Sequence, residues 1–157
     1  MKYNSNDIYL RPLVREDAMI SYAWRNDPEV WQYTDNRPDR IITPEIELDW
    51  IDKVLRNVNR RSFAICLKHN DKYVGNVQLT DIDDEKGIFH IFIGDKEIWG
   101  KGVGALATAK LLAIAKEQLH LKKILLHVNL KNSAAVKIYL KCNFNFIDEH
   151  GNMELYL

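Results

Sequence analysis

The sequence predicts one α/β (α+β) domain over residues 1–157, a mixed, mostly antiparallel sheet with helices packed on it. Three observations predict it. Three alternating apolar runs lie between residues 63 and 93, joined by short polar turns. Such turns make antiparallel neighbours. A long apolar-faced helix then leads to a further strand, and a crossover of that length brings a strand back parallel to its predecessor. Finally, 157 residues bury a real core while no Pro/Gly-rich linker divides them.

Ile8 to Leu13 alternates and opens the sheet. Arg15 to Arg25 reads as a helix, stopped before Pro28. Glu29 to Arg40 is loop-like. Thr43-Pro44-Glu45 starts a second helix, with Thr as N-cap, Pro in the first turn and an acid at the positive dipole end. Ile46, Trp50, Ile51, Val54 and Val58 recur along it at helical spacing. The three meander strands centre on Phe63–Leu67, Tyr73–Leu79 and Gly87–Ile93. A helix carries Val103, Ala107, Leu111 and Ile114 on one face. Ile124 to Asn129 is its strand, Ser133 to Lys141 a short helix, and Phe144–Ile147 and Met153–Leu157 the closing strands.

Lysine plus arginine equal aspartate plus glutamate at 22 each, so a nucleic-acid backbone is not the expected partner. Cys66 and Cys142 lie far apart without CxxC or Cys/His spacing, which predicts free thiols in a reducing compartment and no metal site. Met1 to Asp7 is polar, and no apolar run approaches the roughly 18 residues of a membrane span. A soluble cytoplasmic protein with no membrane partner is the expectation.

The chemistry concentrates in Trp99-Gly100-Lys101-Gly102-Val103-Gly104, between a strand and a helix. Alternating glycines let backbone N–H groups turn toward a ligand, and the helix start adds its dipole, so the loop suits a phosphate or pyrophosphate. Lys101 adds a charge at the rim. A plain glycine-rich turn is the competing reading. A Walker A loop fails, because Gly102 follows Lys101 where Ser or Thr is needed. Gly100, Gly102 and Ala105 fit the Rossmann fingerprint literally, but the preceding strand ends an antiparallel meander and no acid follows for a ribose.

The run from Ile93 to Gly104 resembles the acyl-CoA-binding segment of GNAT acetyltransferases, especially the subgroup named after the RimJ/RimL ribosomal-protein acetyltransferases. Trp99 stands at the first position of the family's Gln/Arg-x-x-Gly-x-Gly/Ala pattern. A second block agrees: Asn132-Ser133-Ala134-Ala135, Tyr139, Cys142, Asn143 and Phe144 are similar to Asn-x-x-Ala-x-x-x-Tyr-x-x-x-Gly-Phe. Asn143 replaces the glycine, and asparagine tolerates the left-handed backbone needed after a helix. Leu10-Arg11-Pro12-Leu13 with Asp17, and Trp24-Arg25-Asn26-Asp27-Pro28, extend the resemblance toward the N-terminus.

The resemblance implies the GNAT acyltransferase fold, acetyl-CoA as co-substrate and no metal. The donor would lie in a wedge between the strands Gly87–Ile93 and Ile124–Asn129. Backbone groups of Ile91, Phe92 and Ile93 would pair with its pantetheine arm, one N–H polarising the thioester carbonyl. Trp99, Gly100, Lys101, Gly102, Val103, Gly104 and Ala105 would hold the pyrophosphate. Asn132 would bond the pantetheine arm, although an N-cap alone accounts for it. Tyr139 would protonate the departing thiolate, against the competing reading of a core tyrosine. An amine of pKa about 10 is neutral in roughly one molecule per thousand at pH 7, so a base assists its attack. The acid that many members carry before the loop is Ile88 here. His90, on the same face two residues on, is the candidate base, with His127, Asp81 and Asp83 as alternatives.

The acceptor would meet Trp24, Arg25, Asn26, Tyr33 and Asp35 between the first two helices, with Asp81 nearby. Aromatic and polar groups together suit an amino sugar, a polyamine or a peptide N-terminus. The expected activity is direct N-acetylation of such a primary amine. The alternative is a non-catalytic acyl-CoA-binding module. A homodimer through an exposed sheet edge is compatible with the sequence, which requires none.

Overall fold

The computed structural model describes residues 2–34 and 38–157. Among the described residues, seven strands form one sheet: β1 (Ile8–Pro12), β2 (Arg61–Leu67), β3 (Tyr73–Thr80), β4 (Lys86–Ile93), β5 (Lys123–His127), β6 (Asn145–Phe146) and β7 (Asn152–Tyr156). Their order is β1-β2-β3-β4-β5-β7-β6, and every pairing is antiparallel except β4 with β5. The helices are α1 (Ala18–Arg25), α2 (Pro44–Arg56), α3 (Val103–Glu117) and α4 (Ser133–Lys141).

The alternation along β3 and β4 sorts side chains to two faces. Val77, Leu79 and Phe89 join Val103, Ala107, Leu111 and Tyr139 in a core under α3 and α4. The other face buries Leu13, Ala18, Ile51, Val54, Ala64 and Tyr73 under α1 and α2. A register shift at Ile65/Cys66 brings Tyr73 onto the face of Asn76, and the Tyr73 hydroxyl donates to Asn76 Oδ1.

Local signals act as their chemistry requires. Thr43 Oγ1 accepts from the Ile46 N–H at 3.2 Å and caps α2. Asn143 takes φ 73° after α4. Several boundaries differ from expectation, α1 starting at Ala18 after a short 3-10 turn and the closing strands being shifted, and two differences have a plain local cause. Val58 lies beyond α2 and is 81% exposed, because Asn57 turns extended and its side chain accepts from the Asn59 N–H. β5 stops at His127 rather than Asn129, whose side chain accepts from the Lys131 N–H and makes a turn.

Candidate active site

β4 and β5 pair only at Lys86–Lys123, Gly87–Ile124 and Ile88–Leu125. Beyond Ile88 the two strands part, which opens a wedge on the β5 side of β4. The antiparallel ladder decides which backbone groups enter it. Phe92 and His90 pair with Asn76 and Gln78 on β3, and the Gly94 N–H donates to the Val74 carbonyl. Alternation therefore turns the N–H and C=O groups of Ile91 and Ile93 into the wedge. Phe92, expected to offer backbone groups there, does not, because β3 uses them. The Ile93 carbonyl accepts from the Trp99 indole at 3.1 Å, so Trp99 ties the glycine loop to the wedge.

The loop is held from behind. Lys2 Nζ donates to the Gly100 carbonyl at 2.8 Å and the Tyr3 N–H to the Lys101 carbonyl at 2.9 Å. Its carbonyls are thus occupied. Among the described residues nothing accepts from the N–H groups of Gly100, Gly102, Val103, Gly104 or Ala105. Gly100 and Gly102 have φ 76° and 88°, a left-handed backbone that costs other residues about 1–2 kcal/mol. Gly104 needs neither a left-handed backbone nor the space, as a Cβ there would make only an ordinary 3.4 Å contact with Ile138 Cδ1. Five open donors at a helix start form an anion cradle. The Lys101 side chain sits at its rim, half-buried.

Asn132 is the N-cap of α4, its Oδ1 accepting from the Ala135 N–H at 3.2 Å, and its Nδ2 bonds to no described residue. Tyr139 is buried, edge-on to Phe89 and Phe144. Burial pushes its pKa up to about 12, so the phenol keeps its proton at neutral pH. Its hydroxyl bonds to no described residue. Burial also raises the Cys142 thiol, and both cysteines are free.

On the α1/α2 face His90 Nε2 lies 3.0 Å from Thr80 Oγ1, at the edge of a cleft. The surrounding protein, with the Arg60 charge second, lowers the His90 pKa below the usual imidazole value. The ring is therefore a neutral base at pH 7. His127 is elsewhere, with Nε2 at 3.0 Å from the His150 carbonyl. Asp83 accepts from the Glu85 and Lys86 N–H groups and shapes the turn before β4. Asp81 is exposed, with φ 50°, at the end of β3 and within electrostatic reach of His90 and Arg60.

The cleft encloses a cavity of about 60 Å³ lined by Arg25, Trp31, Glu47, Trp50, Asn76, Gln78 and Phe92. Arg25, one of the residues expected to meet the acceptor, lines this cavity. Its guanidinium lies 5.4 Å from the Trp31 ring centroid and 5.3 Å from that of Trp50, and Nη1 is 3.7 Å from Glu47 Oε1. Asn26 does not face the cavity. Both ends of its amide hold the Ile42 backbone at 2.8 Å, pinning the loop to α1. Trp24 does not line the cavity but packs behind it: its ring centroid is 4.7 Å from that of Tyr73 and 6.1 Å from that of Phe92, and it sits so close to Gly94 that any Cβ there would enter the indole. Tyr33 is exposed in the following turn. Asp35 lies outside the described residues.

Glu47 is a site residue that the sequence motifs do not single out. It is 1% exposed, accepts from the Ser21 hydroxyl at 2.7 Å, and burial raises its pKa. A signal for it exists: Glu47 falls in register with Ile51 and Val54 on the buried stripe of α2, where an acid has no place unless it is used. Among the described residues no cluster of three or more metal-ligating side chains occurs, and no helix is long and apolar enough to cross a membrane.

A family model described as an acetyltransferase (GNAT) domain matches residues 7–145. The spermidine N(1)-acetyltransferase of Escherichia coli K12 is 28% identical over 145 residues, covering 90% of this chain and 75% of the relative. An uncharacterized N-acetyltransferase p20 of Bacillus licheniformis is 27% identical over 143 residues, covering 86% and 77%. Among solved structures, a spermidine N-acetyltransferase from Vibrio cholerae in complex with CoA and spermine superposes with a TM-score of 0.84, at 23% identity and 96% coverage of both chains.

Proposed function

The chain belongs to the GNAT acetyltransferase family and is an N-acetyltransferase that uses acetyl-CoA, and from that premise we propose how its two substrates meet. The observation that carries the reading is the parting of β4 from β5 beyond Ile88, between the cradle of open N–H groups and the aromatic cleft. The pyrophosphate of acetyl-CoA rests on the N–H groups of Gly100 and Gly102–Ala105. The pantetheine arm runs along the free edge of β4, pairing with Ile91 and Ile93. The Asn132 amide donates to it. One N–H of this edge polarises the thioester carbonyl.

The acceptor is a small-molecule primary amine entering from the α1/α2 face. His90, neutral at pH 7, takes the ammonium proton directly or through one water. The amine nitrogen then attacks the thioester carbon, the C–S bond breaks, and Tyr139 gives its proton to the CoA sulfur. Because a relative bears the name spermidine N(1)-acetyltransferase, polyamines are the first acceptors to test. A RimJ/RimL-like peptide N-terminus is the finer alternative that the N-terminal sequence blocks support.

Acetyl-CoA incubated with spermidine, amino sugars and peptides, with free thiol followed, tests the reading. Thiol release on at least one amine is expected. No thermal stabilisation by CoA together with no turnover of acetyl-CoA would overturn it. Stabilisation without turnover on any amine would leave the acyl-CoA-binding module.

A further inference from the structure

We propose, on the premise that this cleft is the acceptor site, that its acceptor is an amine carrying an anionic group, a phosphate or a carboxylate, held by Arg25 and Arg60. Both guanidinium groups lie against the ring of Trp50, at 5.3 and 5.5 Å from its centroid. Two like charges drawn to one indole repel each other, and an anion between or beside them offsets that cost. The protein supplies part of it, since Asp81 acts on Arg60 from a distance beyond ion-pair contact. Glu47 Oε1 stands 3.7 Å from Arg25, beyond hydrogen-bond length, and Arg25 Nε is buried without a partner. Among the described residues no carboxylate lies within 4.0 Å of Arg60, whose bonds go to Ser62 and Gln78 instead.

The surroundings agree. Arg60, which reaches the cleft through Trp50 and Gln78, borders a second groove of about 410 Å³, lined further by Arg56, Asn57, Arg61 and Ser62 and by no acidic residue. The two hollows together present Arg25, Arg56, Arg60 and Arg61 against Glu47 alone. A polycation laid along them would meet four guanidinium groups. An amine with one anionic end finds a fork-shaped donor set at that end, suited to paired oxygen atoms. Gln78, which accepts from Arg60, pairs with His90 across the ladder, so the anion site and the base are neighbours. An acceptor bound at Arg60 presents its amine toward His90 and Phe92, where the wedge begins.

The experiment compares matched acceptors: glucosamine 6-phosphate against glucosamine, 6-aminohexanoate against hexylamine, and spermidine. The anionic member of at least one pair is expected to show a kcat/KM about tenfold higher or more, and the pair that responds names the group. Arg60→Gln is expected to erase that advantage, through the KM of the anionic member. Arg61→Gln, at an exposed position that leaves the fold intact, is expected to reduce it two- to threefold. Spermidine turning over as well as the best anionic amine, or an advantage that survives Arg60→Gln in folded protein, overturns the proposal. Absence of turnover on every amine is a failure of the functional reading, and a binding measurement then decides separately. With the donor site filled by CoA, glucosamine 6-phosphate should quench indole fluorescence in the wild type and not in Arg60→Gln. Equal quenching in both, or none in either, sinks the anion site.

Discussion

The donor and acceptor sides proposed for this site are built from different material. The donor side is backbone: five N–H groups at the start of α3 and the free edge of β4. The acceptor side is side chain: Arg25 from α1, Glu47 and Trp50 from α2, Asn76 and Gln78 from β3, Phe92 from β4. A backbone site tolerates nearly any side chain but is strict about φ. A side-chain site is strict about identity and is rebuilt by single substitutions. The first should be common to a family, the second particular to one member.

Four substitutions probe that contrast, from the largest effect to the smallest. Tyr139, buried on the α3/α4 side, is the proposed acid, and Tyr139→Phe should lower kcat about 100-fold while leaving both KM values near wild type. Because its hydroxyl bonds to no described residue, stability should change by less than about 1 kcal/mol. An unchanged kcat would remove Tyr139 as the acid. Gly102→Ala attacks the backbone side alone. The left-handed φ costs about 1–2 kcal/mol, read as roughly a tenfold rise in KM for acetyl-CoA with the acceptor KM unmoved. If both constants moved together, the two sides would not be separable.

His90→Gln tests the acceptor side and is expected to lower kcat/KM about tenfold at pH 7, water replacing the ring in part. The sign in pH follows from the lowered pKa. The basic form is present above that value and is lost as pH falls through it, below the usual imidazole value. Wild-type kcat/KM should therefore fall with a slope of one in log units below that pKa and be level above it up to the amine pKa, because the ammonium form binds and His90 takes its proton. In His90→Gln only the free amine reacts, so kcat/KM should rise with a slope of one through neutral pH toward the amine pKa, and a persisting plateau would assign the base elsewhere. Trp99→Phe removes only the indole bond to the Ile93 carbonyl, worth about 1 kcal/mol, and should raise the acetyl-CoA KM about fivefold.

The same contrast governs what the amino-acid sequence discloses by itself. The donor side is legible because φ-demanding positions advertise themselves as glycines and Asn132 sits in a fixed block with Tyr139. The strand order follows from turn length and from the α3 crossover. The acceptor side is legible only in part. Arg25 stands out in the sequence, yet its neighbour Asn26 spends its amide on Ile42. Glu47, Trp31, Trp50, Asn76 and Gln78 come from separated segments, and no spacing in the chain encodes their convergence. Phe92 is misassigned when three consecutive strand residues are treated as equivalent, because hydrogen bonding alternates along the strand.

That alternation in β4 makes the strand intolerant of length change. Its odd-numbered residues face the donor wedge and the α3/α4 core, and its even-numbered residues face β3 and the acceptor cleft. One residue inserted between Ile88 and Phe92 would exchange the two sets at a stroke, burying an imidazole and exposing a core ring. Among natural or shuffled variants of this chain, indels should therefore collect in the 81–85 turn and be purged from the eight residues that follow it.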